Sequence, residues 1–313
     1  MDLPLTIFRA LADPTRLRII ALLRRMELSV GELAQVLVQS QPRISRHIKI
    51  LADAGLIARR KEGAWVFLGL GDAALVNPLL AALDGWAQHA GPDPWALADQ
   101  ARLSAVQADR ARSAEAYFNA NAGAWDELRT LCAADSEVEA AMAEMLGATG
   151  LGRLVDLGTG TGRMLALFAP RAKTALGLDR SPEMLRFARA KLAAAGLDRV
   201  ELRQGDLYAL PLPDGCADTV LLHQVLHYAH LPEAMLREAA RILAPGGRLL
   251  VADFAPHERE ELRTRHAHAR LGFSDEQMTG WLNAAGLEMA HRSALAGGEL
   301  TVKLWLGRKR LAA

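Results

Sequence analysis

The chain is poor in several things, and each shortage excludes something. Only two cysteines, Cys132 and Cys216, occur in 313 residues, and no CxxC pair is among them. Neither a thiolate metal cluster nor a disulfide framework is suggested on that count. No apolar run of about 18 residues is present, so no segment reads as a membrane span. The first apolar stretch is broken by Arg9, Asp13, Arg16 and Arg18, which does not suit a signal peptide. The expectation is a cytoplasmic protein with no membrane partner. Net charge is lacking too, with 37 Lys and Arg against 36 Asp and Glu. Total charge therefore does not announce nucleic acid. No low-complexity tract and no fixed-period repeat appear.

Charge is nevertheless uneven. Between positions 41 and 61 stand Arg43, Arg46, Lys49, Arg59, Arg60 and Lys61, against the single acid Asp53. A local basic stripe of this kind is the footprint of nucleic-acid binding, although a solvated face also fits it. The surrounding pattern is helical. Residues 3–25 read as an amphipathic helix broken near Asp13 and Pro14, where Asp13 or Thr15 can cap the helix that resumes after the break. Ser29, with Glu32 three residues on, predicts a capping box. Pro42 suits a first helical turn, and Gly55 suits a helix end. Two short helices separated by a few polar residues make a helix-turn-helix. "LIARRKEGAWVFLGL" then reads as two strands around Glu62 and Gly63, a hairpin wing. Gln41, Arg43, Ser45, Arg46, His47 and Lys49 on the second helix are the candidates for base and phosphate contact. Arg59, Arg60 and Lys61 on the wing are candidates for the phosphates.

These residues resemble the ArsR/SmtB winged-helix repressors, through "LADPTRLRII", "SQPRISRHIKILADAGLI" and the wing. The resemblance implies a homodimer on double-stranded operator DNA. Many members of that family sense metals through "ELCVCDL". Here the matching stretch is "ELSVGEL", with Ser29 and Gly31 at the thiolate positions, and neither can replace a soft ligand. The helix "LVNPLLAALDGWAQHA" has Asp84 and His89 but no closely spaced Asp/His set. The expectation is no metal, and a signal of another kind.

"GPDP" at 91–94 ends the first predicted domain, residues 1–90. Residues 91–112 read as a connecting helix, and 113–313 as the second domain. From Leu151 onward strand-like and helix-like segments alternate, which implies a parallel sheet covered on both faces. "LVDLGTGTGRM" puts Gly158, Gly160 and Gly162 after an apolar run. Arg163 occupies the third glycine position of a dinucleotide fingerprint, which weakens NAD and FAD. No Gly-Lys-Ser/Thr comes after it, which excludes a Walker loop. Asp179 at the end of the next strand can accept from two ribose hydroxyls, and Asp206 from an exocyclic amine. No set of residues suits two or three phosphates, so a nucleoside without them is the economical reading.

"VDLGTGTGRM", "GLDRSPEML", "QGDLYALPLPDGCADTV", "LHQVLHYAHLPEAMLREAARILAPGGRLLVADF" and "VKLWLGRK" resemble, in order, the class I S-adenosylmethionine-dependent methyltransferases. That resemblance implies a Rossmann-like α/β domain after the winged helix. It implies S-adenosylmethionine or S-adenosylhomocysteine as ligand. Asp156, Gly158, Thr159 and Gly160 would surround the methionine part, and Asp179 and Arg180 would meet the ribose. Met184, Asp206 and Leu207 would flank the adenine, with His223 near the sulfonium. Tyr117 and Trp125 would close the pocket. His223, His227, His230 and His257 are candidates for a proton-transfer role, with His223 and His257 preferred. "HQVLHYAH" runs from a strand end into a loop or helix, so no common face for its histidines is assured.

Three functions stand as expectations. One is a DNA-binding regulator whose second domain senses the nucleoside. Another is an active small-molecule methyltransferase, with the winged helix for DNA targeting or dimerisation. The third is a metal sensor carrying a spent methyltransferase domain.

Overall fold

The computed structural model describes residues 2–62, 65–89, 93–121, 135–296 and 299–311. The chain packs as two compact units, residues 1–112 and 113–313.

In the first unit, helices α1 (Asp2–Leu11) and α2 (Pro14–Leu23) are separated by Asp13. The Asp13 carboxylate accepts from the N–H groups of Thr15 (2.8 Å) and Arg16 (3.2 Å), which starts α2. Strand β1 (Leu28–Ser29) leads into α3 (Val30–Leu37). The predicted capping box is present: Ser29 Oγ accepts from Glu32 N at 3.3 Å, and Glu32 Oε2 accepts from Ser29 N at 2.8 Å. A three-residue turn, with Val38 at φ 54°, delivers α4 (Gln41–Asp53), with Pro42 in its first turn. Ile44, Ile48 and Leu51 of α4 are buried against the core formed with Ile19, Ile20, Leu33 and Leu56. The wing is β2 (Ile57–Glu62) and β3 (Trp65–Leu70), antiparallel, with Arg60 opposite Phe67. The two-residue β1 completes the sheet by pairing with β3.

Helices α5 (Ala73–Ala87) and α6 (Pro94–Asn121) come next. The segment expected to connect the domains is also part of the first unit's packing. Asp99 is buried and takes a bidentate grip from Arg18, 2.6 Å on each oxygen, with Arg102 at 2.8 Å. Leu103 and Val106 are buried beside it.

The second unit opens with α7 (Asp135–Leu146). Its strands are β4 (Arg153–Leu157), β5 (Thr174–Asp179), β6 (Glu201–Gln204), β7 (Ala217–His223), β8 (Leu243–Phe254), β9 (Leu287–Leu295) and β10 (Val302–Lys309). They form one seven-stranded sheet in the order β6-β5-β4-β7-β8-β10-β9. Strands β4 to β8 run parallel, but β10 is antiparallel to both β8 and β9. The wholly parallel sheet implied by alternation therefore gives way at one edge, where the hairpin-like return of β9 and β10 replaces a crossover. Side chains alternate between two cores: Leu249 and Val251 enter one, Leu250 and Ala252 the other. Burial on both faces explains why these strands read as continuous apolar runs. The strand order reverses between β4 and β7. In such a sheet a ligand binds outside the carboxyl ends at that reversal.

Candidate nucleoside site and nucleic-acid interface

The glycine loop leaves β4 at the point of reversal. Gly158, Gly160 and Gly162 all hold left-handed backbone, at φ 72°, 52° and 80°. A Cβ on Gly158 would lie 2.6 Å from Val225 Cγ2, so glycine is required there twice over. The N–H groups of Gly158 and Thr159 donate to Leu178 O on β5, at 2.8 and 2.9 Å, tying the loop to its neighbour. Asp156 is buried in β4 and accepts from Thr159 Oγ1 at 2.6 Å.

Asp179 ends β5. Its Oδ2 accepts from Gly160 N (2.8 Å) and its Oδ1 from Ser181 N (2.9 Å). Burial pushes this carboxyl up, and the N–H groups of Ser181, Gly160 and Arg180 oppose the rise. A carboxylate offers about four acceptor positions, so acceptor capacity remains for ligand hydroxyls. Ser181 Oγ accepts from Met184 N at 3.2 Å, which fixes the buried Met184 at the start of the next helix. Arg180 is exposed, and its carbonyl takes Gln204 Nε2 at 3.0 Å. Asp206, exposed beyond β6, accepts from Tyr208 N at 3.0 Å in a turn that buries Leu207. His223 is buried at the end of β7. Trp125 lies outside the described residues, as does the side chain of Tyr117. The donor set fits a nucleoside: acids stand in β4, at the end of β5 and beyond β6, and Arg163 at the loop's end is engaged with Glu139. An acid-lined cradle also suits a sulfonium cation.

A second arrangement lies beside this one, at the carboxyl ends of β7 and β8. His227 Nδ1 donates to Asp253 Oδ1 at 2.8 Å, and both side chains are buried. Asp253 Oδ2 also accepts from His227 N (3.2 Å), and Oδ1 from Phe254 N (2.8 Å). The His227 carbonyl accepts from Ala269 N and Arg270 N at 2.8 and 2.9 Å. Around its ring stand Tyr228, His268 and Phe254, with centroids 4.0, 4.1 and 4.9 Å away. Phe118 packs edge-on against Tyr228 at 4.7 Å. Burial, helped by His227 and His257, drives His268 far below the ordinary histidine range, so it is neutral. His257 meets Phe254 edge-on, and its Nδ1 accepts from Arg259 N at 3.2 Å. His230 donates its N–H to Tyr208 Oη at 3.0 Å, away from this group. No group of three or more His, Cys, Asp or Glu is placed to hold a metal among the described residues.

In the first unit, α4 presents Gln41, Arg43, Ser45, Arg46 and Lys49 to solvent. His47 turns aside: its Nδ1 lies 3.8 Å from Asp13, and burial lowers its pKa. On the wing, Arg59 and Lys61 are exposed, whereas Arg60 grips Glu27 at 2.8 Å and lies 5.0 Å over the Phe67 ring. The basic stripe therefore divides into solvent-facing and internally engaged members.

Residues 13–59 match the family model of bacterial regulatory proteins, arsR family. The arsenical resistance operon repressor of Escherichia coli is 39% identical over 111 residues, which is 35% of this chain and 86% of that protein. The chain belongs to the arsR family. This arsR-family chain carries a second match over residues 155–251, to a methyltransferase domain. The demethylmenaquinone methyltransferase of Thermus thermophilus is 42% identical over 106 residues, 33% of this chain and 48% of that enzyme. The arsR-family chain thus spans about half the length of the curated methyltransferases it matches. In fold, the second unit is similar to the Bacillus subtilis YcgJ protein, with a TM-score of 0.50 and 20% identity, covering 56% of this chain and all of that one. No helix among the described residues is long and apolar enough to cross a membrane.

The sequence expectation named the residues that form the glycine cradle and most of those that α4 and the wing expose. It passed over Tyr228 and His268, and preferred His223 and His257 to His227. The signal for His227 was present in "HQVLHYAH", but its partner stands 26 positions away. Only the pairing of β7 with β8 brings the two together.

Proposed function

We propose that this protein is an operator-binding regulator whose methyltransferase-fold domain takes S-adenosylmethionine or S-adenosylhomocysteine as its effector. The observation carrying this is the state of the family's metal-sensing stretch. Ser29 stands at a thiolate position, and its hydroxyl and N–H are committed to the capping box with Glu32. The signal has to enter elsewhere, and the glycine cradle offers a nucleoside site in the same chain. The exposed face of α4 would read the major groove as part of a homodimer, while Arg59 and Lys61 would meet phosphates. Control requires the nucleoside to bind the DNA-competent and incompetent states unequally. A coupling of about 1–3 kcal/mol shifts operator affinity roughly 5–150-fold.

Fluorescence anisotropy of labelled DNA from upstream of the protein's own coding sequence tests this. Each nucleoside is titrated separately at fixed salt. One of them should move the DNA affinity at least about five-fold. If both bind the protein and neither moves it, the effector role falls.

A second reading, methyl transfer to a small molecule, is favoured by the buried His227–Asp253 pair. Transfer from a sulfonium depends mainly on holding the reactants in line, and some acceptors also need a base. The residues that would hold the donor are Asp156, Asp179 and Asp206, with the glycine loop.

A further inference from the structure

We infer that His227 is the proton acceptor of a site for an aromatic hydroxyl compound at the carboxyl ends of β7 and β8. As a methyl-acceptor site this rests on the second reading above; as a binding site it does not.

Every polar group of His227 except Nε2 is committed. Its N–H and its Nδ1–H go to Asp253, and its carbonyl takes Ala269 and Arg270. The ring is thus fixed in one tautomer and one orientation, with its basic nitrogen left for a ligand. Such over-determination is expected where a group must be held for chemistry, and it has no evident need in a packing role. Gln224, three residues before, is buried and held at φ 54°, a conformation costly for a residue other than glycine. The next residue, Val225, is the one that crowds Gly158, so the same segment forms the wall of the nucleoside cradle.

A second buried nitrogen points the same way. His268 is 6% exposed, and its Nδ1 has no hydrogen-bond partner among the described residues. A buried polar atom without a partner calls for an explanation, and a ligand oxygen shared with His227 supplies one.

The surroundings select the ligand class. Tyr228, Phe254 and His268 surround the His227 ring, which suits a planar aromatic body. An ammonium would find at most one acceptor position left on Asp253, which already accepts from three donors. An O–H donor is therefore favoured over a cation. Among hydroxyls, a phenol titrates near 10 and yields its proton to an imidazole far more readily than an aliphatic alcohol does. The hydroxyl proton passes to Nε2, and Asp253 stabilises the resulting imidazolium. The phenol oxygen then uses a lone pair to bond the methyl carbon of a sulfonium donor. The carbon–sulfur pair returns to sulfur, leaving an aryl methyl ether and a neutral thioether, and the imidazolium proton leaves to solvent.

The test uses the full chain saturated with S-adenosylhomocysteine, with calorimetric titration of 4-methylphenol and of 4-methylanisole, which lacks the hydroxyl. The phenol should bind at least about ten-fold more tightly than the anisole. In His227→Gln that preference should vanish while S-adenosylhomocysteine affinity stays at the parental value, which also shows that the variant is folded. With S-adenosylmethionine instead, methylation of 4-methylphenol should fall about 100-fold or more in the variant. Equal binding of the two probes by the parent, which requires no variant, overturns the proposal. So does a preserved preference in His227→Gln; binding of the phenol without its methylation overturns the methyl-acceptor role alone. Should the parent fail to bind S-adenosylhomocysteine at all, the nucleoside reading falls, and the phenol-against-anisole comparison on the ligand-free chain decides the His227 site by itself.

Discussion

At the scale of single residues, Asp179 carries the most. Its carboxylate is tied to the N–H groups of Gly160 and Ser181, so the side chain shapes the glycine loop before any ligand arrives. Two ribose hydroxyls would add two charge-assisted hydrogen bonds, each worth about 1.5–3 kcal/mol. Asp179→Ala should therefore weaken S-adenosylhomocysteine binding by at least about 100-fold. Asp179→Asn keeps one acceptor oxygen and should lose less. Calorimetry gives both numbers, while ligand-free DNA binding should match the parent. Unchanged nucleoside affinity in Asp179→Ala would remove the ribose role. This residue was legible in the sequence because a strand-ending acid after a glycine loop is a local pattern. The pairing of Asp253 with His227 was not, because the two come from segments 26 positions apart.

At the scale of elements, legibility followed the same divide. The start of α3 was readable from Ser29 and Glu32, since a capping box is written within four residues. Strand β1 was not, because two residues define it only through their pairing with β3. The antiparallel β10 was readable as a strand, but its direction depends on β8 and β9. The basic stripe shows what local reading leaves unresolved. Arg46, Lys49 and Arg60 are alike in sequence, yet Arg60 is engaged with Glu27 and Phe67. Each lysine or arginine that neutralises a phosphate contributes about 0.9 to the slope of log affinity against log salt. Arg46→Ala and Lys49→Ala should each lower that slope by about one. Arg60→Ala should leave it unchanged, because its charge is already paired. Anisotropy at four or so salt concentrations separates the three variants, and equal losses in all of them would show that Arg60 leaves Glu27 to reach the DNA.

At the scale of the whole molecule, a DNA-binding unit and a methyltransferase-fold unit in one chain need be no more than a tether. Fusion alone does not make a switch, since a fold carries no function by itself. What distinguishes a regulator is a coupling free energy, and coupling is reciprocal by thermodynamic necessity. If S-adenosylhomocysteine changes operator affinity by some factor, operator DNA must change S-adenosylhomocysteine affinity by that same factor. The expected range is roughly 5–150-fold in both directions. Calorimetric titration of the nucleoside into the free protein and into the protein–DNA complex measures the second factor, and anisotropy measures the first. Agreement places the switch within the two binding equilibria. A nucleoside affinity indifferent to DNA would mean that the two units work separately. The arsR head would then serve to bring an enzyme to DNA or to pair two copies of it, and the methyl acceptor would become the quantity to find.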